Sequence, residues 1–406
     1  MKVEMKDSGI PWVGVVPYNW EISKVKRIMR NKSIRNYPDE MVLSLYREFG
    51  VIPKNSRNDN HNVTSEDTSN YKYVEVGDFV INKMKAWQGS MGLSDYQGII
   101  SPAYYVCRFI GNGIYSKYIH HLLRNETYKP EYMRLSTGLR VGQWDLGIDD
   151  FLNIPIVVPP IEVQKRIVSF LDDKCADIDQ LITLQQRMID ELKAYKQSVI
   201  TEAVTKGLDK SVPMKDSGIE WIGKVPVGWE KVKLKNLCKK MNSGSTLTTE
   251  EISDEGNYPV YGGNGIRGYY NRFNQFEECL LIGRQGALCG NVKHTYEPIW
   301  ATEHAVITLP DELANIDYLY FLLIAMNLNQ HSISAAQPGL AVGFIQNVST
   351  ICPPIKEQKM IASFIETKCS QIDQLISIKQ QKMDELREYK KSMIYEYITG
   401  KKQVPN

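Results

Sequence analysis

Pro159-Pro160-Ile161-Glu162-Val163-Gln164-Lys165 returns as Pro353-Pro354-Ile355-Lys356-Glu357-Gln358-Lys359, with five of seven residues identical at an offset of 194. The likeness runs on. Ser169-Phe170, Lys174-Cys175, Ile178-Asp179-Gln180-Leu181-Ile182, Asp190-Glu191-Leu192 and Tyr195-Lys196 match Ser363-Phe364, Lys368-Cys369, Ile372-Asp373-Gln374-Leu375-Ile376, Asp384-Glu385-Leu386 and Tyr389-Lys390. From Ile161 to about Lys206 no Gly or Pro intervenes, and Pro160 sits where a helix start tolerates it, so a long helix is expected. Ile178, Leu181, Gln185, Met188, Leu192, Tyr195 and Val199 step by three and four, the a/d pattern of a helix laid along one partner. Ile355 to Tyr397 carries a related pattern through Ile372, Leu375 or Ile376, Lys379, Met383, Leu386, Tyr389 and Met393. The partner of each helix is therefore expected to be its own repeat, with Gln185 and Lys379 as polar register positions.

Working outward, a second repeated block precedes each variable stretch. Met5-Lys6-Asp7-Ser8-Gly9-Ile10, then Trp12 and Gly14, returns as Met214-Lys215-Asp216-Ser217-Gly218-Ile219, then Trp221 and Gly223, at an offset of 209. Between the blocks a faint alignment survives at offsets of 200–201. Val80-Ile81-Asn82-Lys83 answers Leu281-Ile282-Gly283-Arg284, and Gly138-Leu139-Arg140-Val141-Gly142 answers Gly339-Leu340-Ala341-Val342-Gly343. Short β-rich runs at 78–81, 104–107 and 279–282, with helices at 116–123 and 316–326, read as mixed globular domains. The expected fold class is α+β: two similar mixed α/β domains separated by two long antiparallel, coiled-coil-like helices in a pseudo-two-fold repeat. The expected parts are a variable domain at 1–158, a helical spacer at 159–207, a linker at 208–213, a second variable domain at 214–352, a second spacer at 353–400 and a tail at 401–406.

A chain of 406 residues is expected to hold two to four domains at roughly 100–200 residues each. No apolar run approaches the ~18 residues of a spanning helix, and the first residues lack a signal-peptide core, so a cytoplasmic protein with no membrane partner is expected. Seven cysteines without a C-x-x-C pair, and six histidines without H-x-x-x-H, argue against structural metal. Net charge is only +2, and the halves differ: 1–158 has 20 basic and 17 acidic residues, 214–352 has 11 and 14. Non-specific wrapping of a polyanion is disfavoured, so any nucleic-acid binding must come from local clusters or a cationic partner.

Gly263-Asn264-Gly265-Ile266-Arg267-Gly268 matches a dinucleotide fingerprint, but Tyr269-Tyr270-Asn271-Arg272 follows where an amphipathic helix is required. A Gly-rich loop with Asn264, Arg267, Tyr269 and Arg272 suits backbone or base contacts with nucleic acid; a plain surface turn is the competing reading. Gly218 to Lys224 resembles a phosphate loop until Val225 and Pro226, which remove the magnesium hydroxyl and the helix. His120-His121 is read as structural. Lys83, Lys85, Trp87 and Gln88 in the first domain, and Arg284 and Gln285 in the second, follow β-rich runs at matching places and suit phosphate and base-edge hydrogen bonding; a solvated loop is the alternative. Arg134, Arg140, Gln143 and Gln337, around the Gly-Leu-x-Val-Gly turns, are weaker DNA-binding candidates.

The doubled layout, Lys-Asp-Ser-Gly-Ile before Trp-(Ile/Val)-Gly, Pro-Pro-Ile-x-x-Gln and Ile-Asp-Gln-Leu-Ile resemble the DNA-specificity subunit of type I restriction-modification systems over nearly the whole chain. Tyr261 to Gly268 with Ile282 to Gly286, and Ile81 to Met84 with Ser101 to Tyr104, look like its target-recognition domains. The resemblance implies a non-catalytic subunit. Each recognition domain would read one half of a split site in double-stranded DNA, and the helices would set the gap and dock two methyltransferase subunits, which two restriction/translocase subunits can join. It implies no cofactor in this chain, with S-adenosylmethionine, Mg2+ and ATP belonging to partners. A tandem-repeat scaffold for two protein ligands is the non-enzymatic alternative.

Overall fold

Freedom from Gly and Pro lets two segments run as single helices, Ile161–Lys206 of 46 residues and Ile355–Ile398 of 44. The computed structural model describes residues 4–47, 50–57, 64–65, 67–140, 143–286, 288–331 and 339–405, with Leu139, Arg140 and Gln143 described in their backbone only. Contacts divide the chain into two units, Met1–Gln185 with Gln381–Asn406, and Gln186–Gln380. Each unit thus holds one variable domain and half of each helix. Among the described residues no helix is long and apolar enough to cross a membrane.

The helices run antiparallel within each unit, and their seam keeps Ile178, Gln185, Met188, Leu192 and Val199 of the expected stripe but leaves Leu181 and Tyr195 exposed. Ile178, Ile189, Ile372, Met383 and Met393 are buried, Ile182, Ile376 and Leu386 are half-buried, and Leu181, Tyr195, Leu375 and Tyr389 are exposed. The stripes 178-181-185-188 and 178-182-185-189 both step by three and four, so spacing alone does not choose between them. Two ion pairs accompany the second stripe. Lys196 Nζ lies 2.6 Å from Asp373 Oδ2 in one unit, and Lys390 Nζ lies 2.7 Å from Asp179 Oδ2 in the other. At each place an aliphatic lysine stem lies along the seam and its ammonium reaches a carboxylate of the facing helix.

The two variable domains share a plan. In the first, a four-stranded antiparallel sheet has the order Met29–Lys32, Tyr104–Phe109, Phe79–Asn82, Met91–Leu93. In the second, the order is Cys238–Ser243, Ala305–Pro310, Cys279–Gly283, Val292–Thr295. Helices Ser116–Arg124 and Ile316–Ala325 follow the corresponding strands. Alternation sends Leu280 and Ile282 into one apolar cluster and Cys279 and Leu281 into another, so the inner strand is covered on both faces. Phe79 and Ile81 against Val80 do the same in the first domain.

The repeated motifs do structural work. Gln164 is buried; its Oε1 accepts from Tyr115 N at 2.8 Å, and its Nε2 donates to Gly113 O at 3.0 Å and Pro159 O at 2.7 Å. Gln358 repeats this with Asn315 N, Leu313 O and Pro353 O, each at 2.8 Å. Tyr118 Oη donates to Ile398 O at 2.8 Å and Tyr318 Oη to Val204 O at 3.1 Å, tying each domain to a helix C-terminus. Gly207 ends the first helix at φ +73°, where a Cβ would lie 3.2 Å from the buried Trp229 ring, so the left-handed cap and the close approach both call for glycine.

Candidate nucleic-acid interface

In the first domain, strand Phe79–Asn82 ends in a tight 3-10 turn, Lys83–Gln88, capped by Asn82 Oδ1, which accepts from Met84 N at 3.1 Å. The turn presents Lys85 exposed at its tip. Lys83 is half-buried, with Nζ 4.8 Å from the Tyr105 ring centre, and Lys72 Nζ sits 5.3 Å from the same ring. Lys72 was not singled out from sequence. It is buried, donates to Tyr104 O at 2.6 Å, and is pulled down to about 8 by burial and then by the charges of Lys83 and Arg35. Converging cations are costly for the free protein, and an anion placed there would relieve them.

Trp87 stacks edge-on with Trp144 at 5.2 Å, and the Gln88 amide oxygen accepts from Arg47. Trp144 belongs to the hairpin Ser136–Arg140 with Gln143–Leu146, whose second strand packs on the turn. Arg140 and Gln143 form its last paired residues; their side chains, like Val141, Gly142 and Gln337, lie outside the described residues. Arg134 is differently occupied: its guanidinium makes a bidentate pair with Glu131, both bonds 2.7 Å, one turn back on its own helix. Gripping a phosphate would require breaking that pair.

In the second domain the Gly-rich segment is a hairpin, Tyr258–Gly262 with Gly265–Tyr270, and no helix follows it. Asn264 stands exposed at the turn, its Oδ1 accepting from Asn291 Nδ2 at 3.3 Å. Arg267 is exposed, with its stem folded over Gly262; Tyr269 is half-buried and Arg272 exposed. Arg284 donates to Ser243 Oγ at 2.8 Å, and Gln285 is exposed and bridges to Gly339. A Cβ on Gly283 would collide with Gly263 O, and one on Gly263 would lie 2.7 Å from Gln285 O and 3.2 Å from His304 O. Missing side chains therefore let the hairpin, the Arg284-Gln285 loop and the turn at 301–304 meet through their backbones.

His120 is half-buried, with Nδ1 accepting from Leu93 N at 3.0 Å and Nε2 3.2 Å from Arg124 Nη1. Burial, reinforced by the Arg124 charge, depresses it to about 3. His121 Nε2 lies 3.5 Å from Asp172 Oδ1. Both fit the structural role expected of them.

The sequence profile described as "Type I restriction modification DNA specificity domain" matches residues 17–194 and 226–388. The chain belongs to this family. Among its relatives is the type I restriction enzyme EcoprrI specificity subunit of Escherichia coli, 44% identical over 131 residues, covering 31% of this chain and 33% of that protein. The match thus spans about a third of that relative. The putative type I restriction enzyme MjaX specificity subunit of Methanocaldococcus jannaschii is 23% identical over 97% of this chain and 96% of its own length. A solved structure described as "Structural basis underlying complex assembly and conformational transition of the type I R-M system" superposes with a TM-score of 0.74 at 16% identity, over 94% of this chain and 98% of its own. That likeness shows the fold: long helices and a repeated mixed domain.

Proposed function

We propose that this chain is the DNA-specificity subunit of a type I restriction-modification system, in which the domains at 1–158 and 214–352 each read one half of a split site. The observation that carries this reading is one sheet plan occurring twice, with the same loop after the inner strand bearing Lys83-Met84-Lys85 in one copy and Arg284-Gln285 in the other. Like frames with unlike side chains suit a bipartite site with unlike halves. The chain itself is read as non-catalytic, with S-adenosylmethionine, Mg2+ and ATP used by partner subunits. Sequencing of methylated adenines in cells with and without the gene tests this: a split motif that vanishes on deletion is expected, and a scaffold without DNA specificity would leave the methylation map unchanged.

Arg267, exposed on the hairpin strand, is proposed to read a base rather than grip phosphate. A bidentate base contact is worth about 1–3 kcal/mol of discrimination, so Arg267→Ala is expected to relax one half-site and leave the other intact. Methylation maps altered in both halves, or in neither, would reject the assignment.

The helices are proposed to dock two methyltransferase subunits. Leu181, Leu184 and Tyr389 are exposed in one unit, and Leu375, Ile378 and Tyr195 are their repeat equivalents in the other, exposed alike. Six large apolar side chains in two matching groups are better suited to partners than to water. Tyr389→Asp is expected to lose one methyltransferase copy, and Tyr389→Asp with Tyr195→Asp to lose both. Native mass spectrometry of the complexes reads this out; two copies retained in the double variant would refute it.

A further inference from the structure

The turn at 301–304 lies at the middle of the second domain's candidate interface. Arg284 N donates to His304 O at 2.9 Å, Thr302 N to Tyr261 O at 2.9 Å and Gly244 N to Ala305 O at 3.0 Å. A Cβ on Gly244 would collide with Ala301 O, and Gly263 also comes close to His304 O. Two glycine-lined segments therefore press on this turn through their backbones, and it can move little.

The turn carries Glu303 and His304, with side chains 36% and 34% exposed and Glu303 Oε1 3.2 Å from His304 Nε2. Their other polar atoms, Glu303 Oε2 and His304 Nδ1, are shielded from water and meet no hydrogen-bonding partner among the described residues. Leaving a buried polar atom unpaired costs free energy, and such atoms in a native fold call for a functional account. A contact between neighbouring, partly exposed side chains is also easily exchanged for another.

The first domain builds the same turn. Lys83 N donates to Ala103 O at 3.2 Å, the counterpart of the Arg284 to His304 bond at an offset of 201. There, however, the turn carries Pro102 and Ala103, neither of which has a side-chain hydrogen-bonding group. The two domains thus share a backbone scaffold at this place and differ in whether it bears polar chemistry.

Resting on the reading of this chain as a DNA-specificity subunit, we infer that Glu303 and His304 form a base-reading pair in the second domain with no counterpart in the first. A carboxylate is repelled by phosphate, so its favourable partners on DNA are exocyclic amines. In the major groove those are N4 of cytosine and N6 of adenine, whereas guanine and thymine present acceptors there. Glu303 thus admits cytosine or adenine at one position. His304 holds the carboxylate in the free protein and, once Glu303 turns to the base, can engage the same or the adjacent base edge.

The test uses the complete methyltransferase complex, this chain with its modification subunits. Its motif is first defined by methylation mapping. Binding is then measured against duplex oligonucleotides carrying every single substitution in both half-sites. For Glu303→Gln, close in shape and able to donate as well as accept, discrimination against guanine and thymine is expected to fall roughly ten- to hundredfold at one position of one half-site. His304→Ala is expected to weaken discrimination at that position or its neighbour. Retained discrimination in the other half-site reports a folded, assembled complex. A Glu303→Gln profile that superimposes on the parent's, or that loses affinity equally at every position, would overturn the inference while leaving the proposed function standing. A parent complex with no split motif would overturn both.

Discussion

Gln358→Leu is expected to lower the thermal midpoint of the protein by roughly 10 °C, and Gln164→Leu by a similar amount. Leucine is close in volume, so neither variant opens a large cavity. What is lost is the pairing of Asn315 N, Leu313 O and Pro353 O in one case and of Tyr115 N, Gly113 O and Pro159 O in the other. With the glutamine buried, water cannot replace it, and each orphaned group costs about 1–3 kcal/mol. Three such groups give about 3–9 kcal/mol, and at ~2–4 °C per kcal/mol for a unit of this size the shift should be plain. Gln→Glu is expected to fare no better, because a carboxylate can still accept from the amide but faces two carbonyl oxygens with no proton to offer. Calorimetry showing shifts below about 3 °C for the leucine variants would mean that the domains are held by apolar packing and that these amides are incidental.

The second large effect concerns where the target halves lie on DNA. Four residues inserted after Gln186, matched by four after Gln380, would lengthen each helix by about 6 Å. Both insertions fall at the place where one unit gives way to the other, so the packing inside each unit is kept. Four residues approximate one 3.6-residue turn, and the helical face is nearly preserved. At ~3.4 Å per base pair, the methylated motif is expected to keep both half-sites while its unspecified gap grows by one or two base pairs. An active insertion variant with an unchanged gap would reduce the helices to structural support.

Both long helices were legible because periodicity, the absence of Gly and Pro, and a starting Pro-Pro all agree over more than forty residues. Their phase was legible only in part. Leu181 and Tyr195 were expected in the seam, and they are exposed; Ile182 and the stem of Lys196 lie there instead. A single helix offers both stripes, and only the facing helix, with Asp373 and Asp179 placed to meet the lysines, separates them. The loops after the inner strands were found through faint internal alignment, which preserves position. Lys72, Tyr105, Trp144 and the Glu303-His304 pair escaped it, because they reach those loops through strand pairing and turn contacts between residues far apart in sequence. Arg134 shows the converse: a basic residue beside a turn looks available until its helix places Glu131 one turn away.

Six of the bonds that fasten the variable domains to the helices end on main-chain atoms of those domains or of the helix ends: Tyr115 N, Gly113 O, Asn315 N, Leu313 O, Ile398 O and Val204 O. Apart from the two tyrosines, these six bonds ignore which side chains the domain carries; His121 on Asp172 and Trp229 Nε1 on Glu357 Oε2, at 2.9 Å, are side-chain joints beside them. On the proposed reading, the face that meets the target can therefore be replaced, residue by residue or as a whole segment, with these six bonds kept. A foreign domain whose main chain offers the same bonds would then bring a new specificity between unchanged helices.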